Sequence, residues 1–204
     1  RGGTLLLWLT FFMSLLVVGL NHTTAPVEVR ERVAFAPEQV PEALRRACGS
    51  GGVAQALILS TCNRTEFIAV SGGSAEAEER VLDWFAGSHH LARGELEGCL
   101  YRLRGPEALR HLIQVASGLD SMVMGEPQIF GQIKSAFASA RHAGTVGPDL
   151  ARVMNHVFAV AKQVRTETAI GENPVSVAFA AVKLARHIFT DLGSPTALLI
   201  GAGE

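Results

Sequence analysis

"QALILSTCNRTEFIAVS", residues 55–71, decides the fold. Two apolar, strand-like runs, 53–59 and 65–71, flank a polar connection of only four residues, Thr61 to Arg64. So short a link makes a tight connection at a sheet edge or end, where functional loops tend to sit. Cysteines are usually buried and inert, yet Cys62 stands in this polar turn, two residues from the fixed charge of Arg64.

Working outward, strand signals recur at 15–20 and 99–103. A helical pattern after Pro37 keeps Val40, Ala43, Leu44 and Ala47 on one stripe and stops at Gly49. A second, from about Ala75 to Phe85, does so with Ala77, Val81, Leu82 and Phe85. The order is β-α-β-β-α-β, the split βαβ of ferredoxin-like α+β domains. From Gly105 the period becomes helical, with Pro106 in a first turn and Leu109, Leu112, Ile113 and Ala116 as the apolar stripe. Residues 118–125 do not form a clean helix. Pro127 opens a helix ending near Gly144, and another runs from about Pro148 to Ala169 with Val153, Val157, Val160, Ala161 and Val164 on one side. "GENP" (171–174) is a boundary. Beyond it "VSVAFAAVKLARHIF" reads as a helix and "TALLIGAGE" as a strand entering a glycine turn. The expected division is 13–104, a βαββαβ subdomain; 105–170, a helical subdomain; and 171–204, the start of a Rossmann-type domain.

Composition bounds the function. The 204 residues are 48% hydrophobic and 18% charged with a net charge of −1, so the chain is globular and has no global attraction to nucleic acid. Three cysteines (Cys48, Cys62, Cys99) without CxxC or metal-ligand spacing argue against a disulfide framework and for a reducing cytoplasm. No metal site is expected. From Thr4 to Leu20 the chain carries no charge, the minimum length for a membrane span. The second half of that run also reads as a buried strand, and Met13 offers an alternative start. Residues 1–12 are therefore read as a non-native or mis-annotated extension, with no membrane association.

A thiol reacts as thiolate, and a neighbouring cation favours that form. Arg64 can supply the charge or grip a substrate carboxylate through its planar fork; a half-buried cysteine in a turn is the bland alternative. His111 lies about 200° around its helix from Leu109, off the expected stripe, and is either a solvent histidine or one facing a site. Ser121 and Glu126 flank the irregular segment; Glu126 either caps the following helix or accepts from an amino group. Met122 and Met124 read as core filling. "IGAG" is half of a dinucleotide fingerprint.

"VVGLNHTTAPVEVRE" (17–31), "LSTCNRTE" (59–66), "ASGLDSMVMGEPQIFGQIKSAF" (116–137) and "IGAGE" (200–204) together resemble the glutamyl-tRNA reductase family, in its order and near its spacing. The resemblance implies NADPH-dependent reduction of glutamyl-tRNA(Glu) to glutamate-1-semialdehyde, the first step of tetrapyrrole synthesis from glutamate, in a homodimer that hands its product to an aminomutase. It implies that Cys62 is the nucleophile that forms a thioester. His111 is then expected as a second catalytic residue, Thr61, Asn63, Arg64, Ser121, Glu126, Pro127 and Gln132 with Cys62 at the glutamyl site, and Gly201, Ala202, Gly203 and Glu204 at the cofactor. The family's cofactor domain is only begun in these residues, so the chain by itself is expected to accept the glutamyl group and lose it slowly to water.

Two other classes compete. An RNA-binding module shares the βαββαβ order, but "TEFIAVS" offers only Phe67 for base stacking. A cofactor-free thiol hydrolase is separated from the reductase by the dependence of its product on pyridine nucleotide. For tRNA, the local basic patch is Lys134, Arg141, Arg152, Lys162 and Arg165.

Overall fold

Strands β1 (Leu15–Asn21) and β3 (Arg64–Val70) are buried at all seven positions each. Strands of that kind lie in the middle of a sheet covered on both faces. They do so here, in a computed structural model that describes residues 14–50, 53–71, 75–171 and 177–189 together with Leu198. The sheet has the order β2-β3-β1-β4, with β2 at Gln55–Ser60 and β4 at Tyr101–Arg104, and all neighbours are antiparallel. The four strands fall where the sequence places them, within two residues.

The helices in chain order are α1 (Val27–Arg32), α2 (Val40–Ser50), α3 (Ala75–Ser88), α4 (Arg93–Leu96), α5 (Gly105–Ser117), α6 (Gln128–Ala143), α7 (Pro148–Glu167) and α8 (Val177–Ile188), with a 3₁₀ turn at Ala169–Gly171 between the last two. α1 and α4 are not anticipated, because six and four residues are too few to show an apolar stripe; α1 buries none of its residues. Val40, Leu44 and Ala47 of α2, and Val153, Val157 and Ala161 of α7, are buried as their spacing requires.

Residues opposite one another in an antiparallel pair share a face, and alternate residues along a strand do likewise. One face carries Leu16, Val18 and Leu20 with Phe67 and Ala69. The Phe67 ring lies 4.6 Å from that of Trp84, so α3 covers this side. The other face carries Val17, Gly19 and Asn21 beside Ile68, Glu66 and Arg64, with Tyr101 and Leu103 of β4. α5 lies over β1 and β4 on this side and packs on α7, while α6 packs on β2 and α2.

α5 corrects one expectation. Its buried residues are Gly105, Ala108, Leu112, Val115, Ala116 and Ser117, while Leu109 and Ile113 are only half-buried. The two line an open groove of about 390 Å³ with Pro106, Arg110 and Gln114. The helix is rolled toward the small residue Ala108, and His111 borders the sheet-facing side instead of lying off it. The uncharged run near the N-terminus enters β1, bearing out the strand reading of its second half. Among the described residues no helix is long and apolar enough to cross a membrane. Residues 1–12 and Met13 lie outside the described residues, as do 172–176 and the strand and glycine turn expected at 196–204, Leu198 aside.

Candidate active site at the end of the sheet

The link between β2 and β3 is built by Thr61. Its amide donates to the Arg64 carbonyl at 2.8 Å, and its hydroxyl oxygen accepts from the amides of Asn63 and Arg64, both at 3.2 Å. Threonine is suited to this because its hydroxyl can satisfy amides two and three residues on. The hydroxyl expected at the substrate is thus engaged in shaping the turn. Cys62 stands exposed at the tip. Arg30 of α1 fixes the turn from outside, donating from Nη1 to the Cys62 carbonyl at 2.6 Å and to Asn63 Oδ1 at 3.3 Å.

Arg64 does not extend toward solvent alongside the thiol. It is 2% exposed and points down the covered face of the sheet. Nη1 donates to Glu66 Oε1 at 2.7 Å; Nη2 donates to Asp120 Oδ2 at 3.0 Å and to the Asp120 carbonyl. Glu66 Oε1 also accepts from the Tyr101 hydroxyl at 2.5 Å and lies 2.9 Å from Nε2 of His111. Asn21 joins from β1, its amide nitrogen 3.3 Å from Asp120 Oδ2. Its side-chain oxygen meanwhile accepts from the Thr23 amide and hydroxyl, ordering the turn after β1.

Burial alone would raise the pKa of Glu66, but the bond and charge of His111, the Arg64 guanidinium and the Tyr101 hydroxyl outweigh it and hold the carboxyl at about 2. Burial, then the Glu66 charge, pushes the Tyr101 phenol far above its ordinary range, so it keeps its proton. For Arg64, desolvation opposes the charge, but Glu66, Tyr101 and Asp120 raise its pKa and keep it a cation. The pKa of His22, next to Asn21, is lowered by burial and then by the nearby Arg64 charge.

The irregular segment expected at 118–125 runs from Gly118 to Pro127 and closes over this network. Gly118 ends α5 at φ 80°, a left-handed conformation that favours glycine, and its carbonyl accepts from the Gly125 amide at 2.9 Å. Gly125 (φ 82°) passes so near the 3₁₀ turn that a Cβ there would meet the Ile170 carbonyl oxygen at 2.8 Å. Arg165 of α7 pins both ends of the segment, with Nη1 3.3 Å from the Ser117 carbonyl and 3.4 Å from that of Glu126. Asp120 thereby reaches Arg64, and Ser121 follows it, half-buried.

The expected site residues therefore separate into two groups. Thr61, Cys62, Asn63 and Arg64 are joined to His111 through Glu66 and to the start of the 118–127 segment through Asp120. Glu126 is half-buried at the far end of that segment, Pro127 caps α6, and Gln132 is exposed on it one turn later. No bond among the described residues ties these three side chains to the network. Met122 and Met124 are 60% and 67% exposed, so they do not fill the core. Gly201, Ala202, Gly203 and Glu204 lie outside the described residues. Sequence reading missed Asn21, Arg30, Glu66, Tyr101 and Asp120. For Glu66 a signal existed: Arg64 and Glu66 alternate with buried positions on the same side of the strand as Ile68 and Val70.

The fold and site define a mixed α/β domain that displays a thiol on a hydrogen-bonded turn above a buried cation and carboxylate and a half-buried imidazole. Residues 18–168 match the family model described as "Glutamyl-tRNAGlu reductase, N-terminal domain", and the chain belongs to that family. It is 59% identical over 193 residues to glutamyl-tRNA reductase of Pseudomonas putida (strain W619), covering 94% of this chain and 45% of that protein. It is also 57% identical over 192 residues to the enzyme of that name from Stutzerimonas stutzeri (strain A1501). A solved glutamyl-tRNA reductase from Methanopyrus kandleri superposes with a TM-score of 0.68 at 37% identity, over 94% of this chain and 44% of that one. The chain spans somewhat under half the length of the relatives it matches.

Proposed function

We propose that this domain takes the glutamyl group of glutamyl-tRNA(Glu) onto Cys62 as a thioester, within a protein that reduces it to glutamate-1-semialdehyde for tetrapyrrole synthesis. The observation that carries the reading is the exposed Cys62 on a turn held from within by Thr61 and from outside by Arg30. In the step assigned to this domain, the Cys62 sulfur attacks the ester carbonyl carbon. A C–S bond forms, the C–O bond to the terminal ribose breaks, and the ribose oxygen leaves with a proton. Arg64 is assigned to the side-chain carboxylate of the glutamyl group, which would compete with the part-exposed Asp120 for Nη2. Ser121, Glu126, Pro127 and Gln132 complete the pocket in this reading, and His111 faces it.

NADPH supplies, when bound, the hydride that converts the thioester to the aldehyde. The residues expected to hold it, Gly201, Ala202, Gly203 and Glu204, lie outside the described residues. The strand order, with every neighbour antiparallel, supports a ferredoxin-like sheet for 13–104. In this reading a helical subdomain at 105–170 and a cofactor domain beginning near 171 follow it. The free state of Cys48, Cys62 and Cys99 supports a reducing cytoplasmic setting. A homodimer and transfer of the product to an aminomutase complete the proposal.

Mass spectrometry of the chain after mixing with glutamyl-tRNA tests the assignment. The expected result is a glutamyl adduct on Cys62 that is absent from Cys62→Ser and present in Cys48→Ala and Cys99→Ala. An adduct that survives Cys62→Ser removes Cys62 from the mechanism.

A further inference from the structure

Glu66 belongs to β3, yet the groups that bond its carboxylate include Tyr101 of β4 and His111 of α5, on the far side of β1. The side chain gets there by crossing β1 at Gly19, which is paired with Glu66 on one side and Tyr101 on the other. A Cβ on Gly19 would stand 2.8 Å from Glu66 Cγ and 2.7 Å from the Thr65 carbonyl oxygen. Any other residue at position 19 therefore forces the Glu66 side chain, the backbone at Thr65 and Glu66, or both, out of this arrangement. The crossing is what allows an acid on one strand to serve a histidine on a helix.

A carboxylate held at about 2 is ionised at any working pH and can only accept. Its Oε1 lies 2.9 Å from Nε2 of His111, whose side chain is 12% exposed. Nε2 must then carry the hydrogen. In a neutral imidazole that leaves Nδ1 with the lone pair. We propose that Glu66, seated across Gly19, is a positioning residue that fixes His111 as the Nε2–H tautomer and so presents Nδ1 as an acceptor to the glutamyl site. The inference rests on the reading that His111 faces that site. A carboxylate so placed also stabilises the imidazolium that forms if Nδ1 takes up a proton during acyl transfer.

The test has two independent arms. Nitrogen NMR of the histidine-labelled chain at about pH 8.5, above the usual imidazole range, reports the tautomer without any substrate. Wild type is expected to show the hydrogen on Nε2 of His111; a hydrogen on Nδ1 overturns the proposal. The second arm follows acylation of Cys62 by glutamyl-tRNA. Glu66→Gln offers an amide in place of an obligate acceptor, so the tautomers are expected to mix. The acylation rate at saturating substrate is expected to fall about tenfold or more, with half-saturation changed less than about threefold. Gly19→Ala is expected to do the same by displacing the carboxylate. Unchanged acylation in a folded Glu66→Gln overturns the proposal, and that variant serves even where Gly19→Ala fails to fold. If wild type is not acylated at all, the proposed function fails, while the tautomer assignment is still decided by the first arm.

Discussion

The two faces of the same sheet are held by opposite means. On the α3 side, Phe67 rests on Trp84, and Phe35 lies beside both Trp84 and His89, with Leu16, Val18 and Leu20 beneath. Apart from the Ser60 and Thr65 hydroxyls, 3.5 Å apart, and the Phe35 amide that donates to Ser60, the contacts named there are apolar or aromatic, so shape and volume largely decide. On the α5 side, the end of the same strands carries Asn21, Arg64 and Glu66, buried to 4%, 2% and 0% exposure, and each depends on another. Buried ion pairs contribute little net stability compared with well-packed apolar residues of the same volume. The network is therefore better understood as arranging a site than as holding the fold.

The comparison breaks most readily at Glu66. Glu66→Leu leaves the Arg64 charge without its buried partner and is expected to cost about 3–5 kcal/mol in urea unfolding. The double replacement Arg64→Met with Glu66→Leu should recover most of that loss while abolishing acylation of Cys62. If the double variant is as unstable as the single, the network is structural after all. On the opposite face, Phe67→Ala is expected to cost about 3 kcal/mol through lost transfer energy and a cavity. The alkylation rate of Cys62 should not change, since Phe67 points away from the turn.

Acid should distinguish the faces next. Burial against Phe35 and Phe85 holds His89 near a pKa of about 4, against 6.5 in the unfolded chain. The unfolded state binds the extra proton, so this contribution is present above 6.5 and lost as pH falls toward 4. Glu66, about 2 when folded and 4.5 unfolded, loses its contribution in the lower window between those values. His89→Leu is expected to flatten the upper window of a stability-against-pH curve and leave the lower one. The smallest effect is expected at the rim: Arg32 and Glu95 form a 2.9 Å pair with side chains 54% and 45% exposed, and Arg32→Ala should not measurably move the urea midpoint.

Much of this was legible from the chain alone. The strands announced themselves through apolar runs and the helices through spacing, and the odd placement of Cys62 marked the turn. What stayed hidden was the orientation of charge. Arg64 stands two residues from Cys62, which suggested a cation at the thiol, but a strand turns alternate side chains to one face, and this one points inward to Glu66. A stripe through Leu109 puts His111 off the apolar side; the roll of α5 onto Ala108 is a tertiary outcome with no local signal. Asp120 is 56 positions from Arg64 and 99 from Asn21, distances over which no periodicity speaks.

The strand order has a consequence in time. β1 leaves the ribosome before either neighbour, since β3 and β4 begin at Arg64 and Tyr101. At about 5–20 residues per second, the 42 residues between Asn21 and Arg64 take roughly 2–8 seconds to make. Throughout that interval Leu15–Leu20 is an unpaired apolar edge, the kind of segment that recruits other chains. Synthesis of this domain should therefore lean on holding chaperones until β4 is out, and slower translation between β1 and β3 should lower the yield of native chains without altering the molecules that do fold.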